Sequence, residues 1–181
     1  MARVDGDTMD RILIIGNAGA GKTTFATQLT QITGLPLVHL DQLFWTGNWE
    51  QLDRDAFDAL LQQALEKPQW IIDGNFSRTL PHRLQYCDTV FFFDLPTVTC
   101  LWGITQRVFS YWGKSRPDMG GNCPERFDRQ KVSLYKGVLT YNRRHRKNYI
   151  QLLDQQDHAK VIVFKSRRQA QNFLKNMQKQ C

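Results

Sequence analysis

The chain has 181 residues, 41% of them hydrophobic, and a formal net charge of +7. That length supports one ordinary core and leaves no room for two comfortable domains. No segment approaches membrane-spanning length, the stretch from Met1 to Asp10 lacks the apolar run of a signal peptide or anchor, and the four cysteines form no CxxC pair, so no membrane partner is expected and a reduced, cytoplasmic setting is.

Charge is unevenly distributed. Between Arg107 and Lys147 there are eleven Lys or Arg against three Asp or Glu, and between Lys160 and Cys181 six against none. Such a block can serve nucleotide phosphates, a polynucleotide backbone or only a solvated helix face. Composition does not choose among them.

Nothing in Met1 to Asp10 reads as structural, and Met9 is as good a chain start as Met1. Ile12 to Ile15 is a short continuous apolar run, the form of a strand buried on both faces of a parallel sheet. Directly after it, Gly16-Asn17-Ala18-Gly19-Ala20-Gly21-Lys22-Thr23 fits the phosphate-binding pattern G-x-x-x-x-G-K-S/T. Phe25, Leu29 and Ile32 then follow at helical spacing, stopped by Gly34 and Pro36. Leu37 to Leu40 reads as a second strand ending at Asp41, and Leu52 to Glu66 as a helix ended by Pro68. Trp70 to Ile72 is a third strand closed by Asp73-Gly74. Thr89 to Phe93 is a fourth, running into Asp94 and a helix from Thr97 to Tyr111.

Gly113 to Pro124 is turn-rich and is expected to be a mobile flap rather than a packed element. Glu125 to Asp154 reads as one long helix or two broken near Gly137. Lys160 to Lys165 holds a fifth strand, after which Ser166 caps a last helix through Met177. Strands alternating with helices predict a three-layer α/β/α single domain with a five-stranded parallel sheet, whose ligands gather beyond the carboxyl ends of the strands.

The glycines of the loop let successive N–H groups face phosphate oxygens while the following helix presents its positive end to the same anion. Gly16 to Thr24 therefore form the nucleotide site, with Lys22 reaching the outer phosphates and Thr23 ligating Mg²⁺. Asp73, at a strand end before a glycine, is the candidate to hold the metal through water, and Asp94 is its rival. His39 is expected to pack into the core, whereas Trp45 and Trp49 either stack a ring or close the core.

The phosphate loop, Trp70-Ile71-Ile72-Asp73-Gly74-Asn75-Phe76-Ser77-Arg78-Thr79 and Phe93-Asp94-Leu95-Pro96 resemble adenylate kinases in order and spacing. His39-Leu40-Asp41 with Phe44, Trp45 and Trp49, and Pro124-Glu125-Arg126-Phe127-Asp128, resemble more closely the small bacterial proteins labelled topology-modulation or adenylate-kinase-related. The resemblance implies a nucleoside-monophosphate-kinase-like fold using ATP and Mg²⁺. It implies further that Arg78 grips the acceptor phosphate, that Arg107 contacts nucleotide phosphates, and that Arg116 and Arg126 flank the flap. Asp41 is a candidate to accept a proton from a substrate hydroxyl, or to hold it by a hydrogen bond, as in the shikimate-kinase-like and gluconate-kinase-like P-loop kinases. Two departures stand out: Gly103 replaces the arginine that packs on adenine, and a short aromatic segment replaces the AMP clamp.

The sequence is thus read as a P-loop kinase transferring the γ-phosphoryl group of ATP to a small acceptor, with a nucleoside monophosphate, in the adenylate-kinase manner, as one candidate. Lys22, Arg78, Arg107, Arg116 and Arg126 are its catalytic candidates. The alternative is a nucleic-acid-associated ATP-binding protein.

Overall fold

The computed structural model describes residues 2–4, 7–126 and 129–180. The elements follow in chain order. A short antiparallel hairpin, β1 (Ala2–Val4) and β2 (Asp7–Met9), opens the chain. It corrects the expectation that the first ten residues carry no structure. Met9 is buried in the core, and the Asp10 and Arg11 N–H groups both donate to the Asp88 carboxylate. Next come β3 (Arg11–Gly16), α1 (Lys22–Thr33), β4 (Leu37–His39), α2 (Leu40–Phe44), the hairpin β5 (Trp45–Gly47) and β6 (Glu50–Gln51), and α3 (Arg54–Leu65). They are followed by β7 (Trp70–Asp73), α4 (Leu80–Leu84), β8 (Thr89–Phe93) and α5 (Thr97–Ser110). The chain ends with α6 (Arg129–Tyr141), a π-helical turn over Asn142–Arg146, α7 (Lys147–Gln155), β9 (Lys160–Phe164) and α8 (Arg167–Gln180).

The central sheet is five-stranded and parallel, in the order β4-β7-β3-β8-β9. Side chains alternate across it, as a period of two requires. Ile12, Ile14, Ile71, Phe91 and Phe93 face one layer, built from α1, α5, α6 and α8; Leu13, Ile15, Ile72, Val90 and Phe92 face the other, with α3, α4 and α7. Burial on both faces is why these strands read as unbroken apolar runs. In the first layer Phe25 meets Phe91, Phe93 and Phe164 edge to face at centroid distances of 4.9, 5.3 and 5.4 Å.

Register aligns the carboxyl ends of the strands. Gly16 lies opposite Phe93, Phe93 opposite Phe164, and His39 opposite Asp73. The loops after them therefore open on one edge.

Three expectations change. Leu40 starts α2 rather than ending a strand. The long C-terminal helical region begins at Arg129 and is interrupted at the π turn, not at Gly137, which sits inside α6 with open space around it. The segment 113–124 is packed: Arg116, Asp118, Met119 and Cys123 are buried, Ser115 pairs with Pro124, and the Gln42 amide donates to the Pro117 carbonyl over 2.7 Å. Turn-forming residues signal irregular backbone, and they say nothing about whether it is covered. Met1, Phe127, Asp128 and Cys181 lie outside the described residues.

Candidate functional site

The phosphate loop turns sharply at Gly16, whose φ of 139° and whose closeness to Phe93 leave no room for a side chain: a Cβ there would sit 2.4 Å from the Phe93 carbonyl oxygen. The loop delivers Gly21 as the N-cap of α1, and no side chain caps that end. The first-turn N–H groups are thus left to an external acceptor, with the helix dipole behind them. Lys22 Nζ donates to the carbonyls of Gly16 and Asn17 over 2.9 and 3.0 Å. Burial pulls the lysine below its ordinary value, with Asp73 and Asp41 opposing.

Opposite the loop, Asp73 Oδ2 accepts from Thr23 Oγ1 at 2.7 Å and lies 3.3 Å from His39 Nδ1. Asp73 Oδ1 is buried and has no hydrogen-bond partner among the described residues. Burial would lower His39, but the hydrogen bond and charge of Asp73 outweigh it and raise the imidazole. His39 lines the cavity instead of packing in the core, because β4 is the edge strand and its end opens onto the site. A hydroxyl beside a carboxylate with one free oxygen is a donor set that fits a hard cation such as Mg²⁺.

Asp94 is engaged elsewhere. Arg146 grips it with two hydrogen bonds of 2.6 and 2.7 Å, and Lys165 binds the second oxygen. The Arg146 hydrogen bond outweighs burial and, with Lys165, holds the carboxyl below its usual range. Its partners come from the π turn and the end of β9, which no local sequence signal links to Asp94.

The loop after β7 is tied down by Arg83 of α4, wholly buried, which donates to the carbonyls of Gly74 (3.1 Å), Asn75 and Phe76 (3.2 Å). Burial pushes this guanidinium down to about 10. Asn75 in turn accepts from the Gly16 N–H at 3.1 Å, joining the two loops.

The expected arginines separate into two groups. Arg78 is not at the site: it forms an exposed ion pair with Asp58 of α3, at 2.8 and 2.5 Å. Arg126 is exposed and also lies outside the cavity lining. Arg107 and Arg116 do line it. They approach Glu125 Oε1 at 3.6 and 3.1 Å, Lys131 pairs with the other oxygen, and Arg116 also binds Asp118 at 2.7 Å. Burial lowers Arg107, reinforced by neighbouring Arg116, and burial lowers Lys131 too.

The cavity has a volume of about 1040 Å³ and runs from the phosphate loop past Asp41 to Trp45 and Trp49. Burial raises Asp41 above the usual carboxylate range, although Arg116 opposes it. Trp45 and Trp49 sit 5.4 Å apart, edge to face, and Lys131 Nζ lies 4.3 Å over the Trp49 ring. Trp49 has a φ of 61°, an outlier for a bulky residue, and its Nε1 donates to the Pro124 carbonyl at 3.1 Å. Both rings are therefore cavity walls.

Sequence reasoning missed Arg167. From the first turn of α8 its guanidinium donates to the Gly19 carbonyl at 2.7 Å and to the Ala20 and Thr99 carbonyls at 3.4 Å. Gly103 makes room for it, since a Cβ there would lie 2.3 Å from Arg167 Nη2 and 2.1 Å from the Gly19 oxygen. The one signal was position: Arg167 follows the fifth strand, whose carboxyl end should join the other four.

No family model matches the chain, and no curated protein matches it in sequence. Solved structures are similar over nearly the whole length. Shikimate kinase from Bacteroides thetaiotaomicron is 14% identical with a TM-score of 0.55, covering 96% of this chain and 98% of its own. Shikimate kinase from Acinetobacter baumannii, in complex with shikimate, is 14% identical with a TM-score of 0.59, covering 96% and 95%. The fold is that of the shikimate kinases. A sugar kinase from a Janibacter species shares this shikimate-kinase-like fold at 15% identity and a TM-score of 0.51, covering 96% and 92%.

Proposed function

We propose that the chain is an ATP- and Mg²⁺-dependent phosphotransferase acting on a hydroxyl group of a small acceptor. The observation that carries this reading is the phosphate loop facing the Thr23–Asp73 pair, whose Asp73 Oδ1 is buried and has no partner among the described residues, with Asp41 lining the same cavity.

Thr23 and Asp73 would hold the metal, which supplies charge neutralisation at the outer phosphates. The N–H groups from Gly16 to Thr24, with Lys22, would hold and orient the nucleotide; Lys22 would exchange its two carbonyl partners for phosphate oxygens. Asp41, raised by burial, takes the proton from the acceptor hydroxyl as its oxygen bonds to the γ-phosphorus and the bond to ADP breaks. Arg107 and Arg116 offset the charge that develops on the transferring group.

The fold neighbours include enzymes named for shikimate and for sugars, which favours a polyhydroxylated acceptor. A nucleoside monophosphate is the weaker candidate, because Arg78 points away from the cavity. The nucleic-acid alternative, of the topology-modulation kind, drew on the basic block from Arg107 to Lys147; within it Arg107, Arg116 and Lys131 are gathered around Glu125.

The test is ADP release from Mg-ATP across shikimate, gluconate, simple sugars, nucleoside monophosphates and duplex DNA, with Lys22→Ala in parallel. Turnover with a hydroxyl acceptor, lost in the variant, is the expected result. No turnover with any of them, together with ATP binding that Lys22→Ala leaves intact, would overturn the reading. Hydrolysis stimulated only by DNA would move the assignment to the alternative.

A further inference from the structure

Helix α5 presents apolar side chains on two faces, while Gln106, Arg107 and Ser110 face the cavity. Its inner face places Cys100, Ile104 and Val108 in the core, yet its outer face carries Val98, Trp102 and Phe109 at intervals of four and seven residues, with Trp112 just beyond its end. Those four side chains are between 56% and 76% exposed. They form one stripe about 20 Å long. Leu139 and Val132 of α6, which packs on α5 through Thr105 and Tyr135, are exposed as well. Scattered exposed hydrophobics are ordinary, but a row of two tryptophans and a phenylalanine along the outer face of one helix marks a surface that something covers.

The charge around the stripe says what. Helices α1, α5, α6 and α8 form one layer of the sheet, and they and the π turn that follows α6 contain no Asp or Glu at all. Exposed cations of these elements include Lys136, Arg143, Arg144, Arg168, Lys175 and Lys179. Six acidic residues, Asp53, Asp55, Asp58, Glu66, Asp154 and Asp157, lie with the opposite layer, on and beside α3 and α7. The apolar stripe therefore sits among helices that carry no acid of their own. A second copy docking there would set cation against cation. A polynucleotide would meet no cation within the stripe, since the basic residue of α5, Arg107, turns into the cavity.

We infer that this face docks on an anionic lipid surface, with Trp102, Phe109 and Trp112 entering the headgroup region and the surrounding lysines and arginines facing lipid phosphates. Aromatic and aliphatic side chains ringed by cations are the composition of interfacial helices. No described helix is long and apolar enough to cross a membrane, so the association is peripheral. It departs from the sequence reading, which expected no membrane partner, and it is independent of the proposed chemistry.

The experiment is sedimentation of the full chain with vesicles of phosphatidylcholine and phosphatidylglycerol, two to one, against pure phosphatidylcholine at physiological salt. Tryptophan emission is followed at the same time, and thermal unfolding verifies that every variant is folded. The anionic vesicles should bind at least about tenfold more tightly, with a blue shift in emission. Trp102→Ser with Phe109→Ser should remove at least about tenfold of that affinity, and Lys136→Glu with Arg143→Glu and Arg144→Glu should remove a similar amount. Failure to bind anionic vesicles, or binding that the aromatic double variant leaves unchanged, would overturn the inference. So would a dimer, or binding to single-stranded DNA, that depends on Trp102 and Phe109 while vesicles do not compete.

Discussion

Replacing Gly103 by alanine puts a methyl carbon 2.1 Å from the Gly19 carbonyl oxygen and 2.3 Å from Arg167 Nη2. The arginine head can swing away, but the carbonyl belongs to the phosphate loop and cannot. A tolerable carbon–oxygen approach is about 3.3 Å, so loop and helix must separate by about 1 Å. Glycine to alanine inside a helix ordinarily gains about 1 kcal/mol, whereas overpacking costs about 1–3 kcal/mol. The net is a loss of up to about 2 kcal/mol, or a Tm lower by up to roughly 4–8 °C. Because Arg167 loses its seat and the loop is displaced, ATP affinity and turnover should fall by about 100-fold, the scale expected for a 1 Å misplacement. Gly137→Ala is the control. It lies within α6 with nothing near its Cβ position, so it should stabilise the fold by up to about 1 kcal/mol. Thermal unfolding and calorimetric titration with ATP, run on both variants, decide the matter. If Gly103→Ala is as stable as Gly137→Ala and binds ATP like the wild type, the close approach of α5 to the loop has no functional weight.

Asp41→Asn should lower kcat by about 100-fold or more while leaving the Kd for ATP within about twofold, since the carboxylate is proposed to act on the acceptor proton; steady-state kinetics with the acceptor identified above checks this. Arg78→Ala should leave kcat/KM within about twofold and change stability by less than about 0.5 kcal/mol, because it breaks only an exposed ion pair; a loss of activity would return Arg78 to the site. Asp94, held low by Arg146 and Lys165 against the opposing effect of burial, contributes stability that is fully present above its unfolded value, near 3.8, and is lost as pH falls through its lower folded value. Urea titrations of wild type and Asp94→Asn at a series of pH values should therefore show a stability gap that is constant at neutral pH and closes in acid.

Much of this architecture was legible in the residues. Continuous apolar runs at Ile12–Ile15, Trp70–Ile72 and Thr89–Phe93 announce strands buried on both faces, and the glycine–lysine–threonine loop announces an anion site, because backbone conformation and periodicity are local properties. The Thr23–Asp73 pairing was anticipated from a strand end meeting a glycine. Side-chain direction was not legible. Arg78 and Arg83 are five residues apart on neighbouring turns, yet one salt-bridges the surface and the other, wholly buried, clamps the loop after β7. Only the packing of α3 and α4 distinguishes them. Likewise Arg167 reaches the phosphate loop from 148 residues away, and Asp94 is claimed by Arg146 from a π turn. The sequence by itself determined the five strands of the central sheet, the order of the loops and the phosphate-binding loop. Tertiary structure alone decided which charges meet in the cavity, because ion pairing depends on distance between side chains that the chain brings together only when the layers close on the sheet.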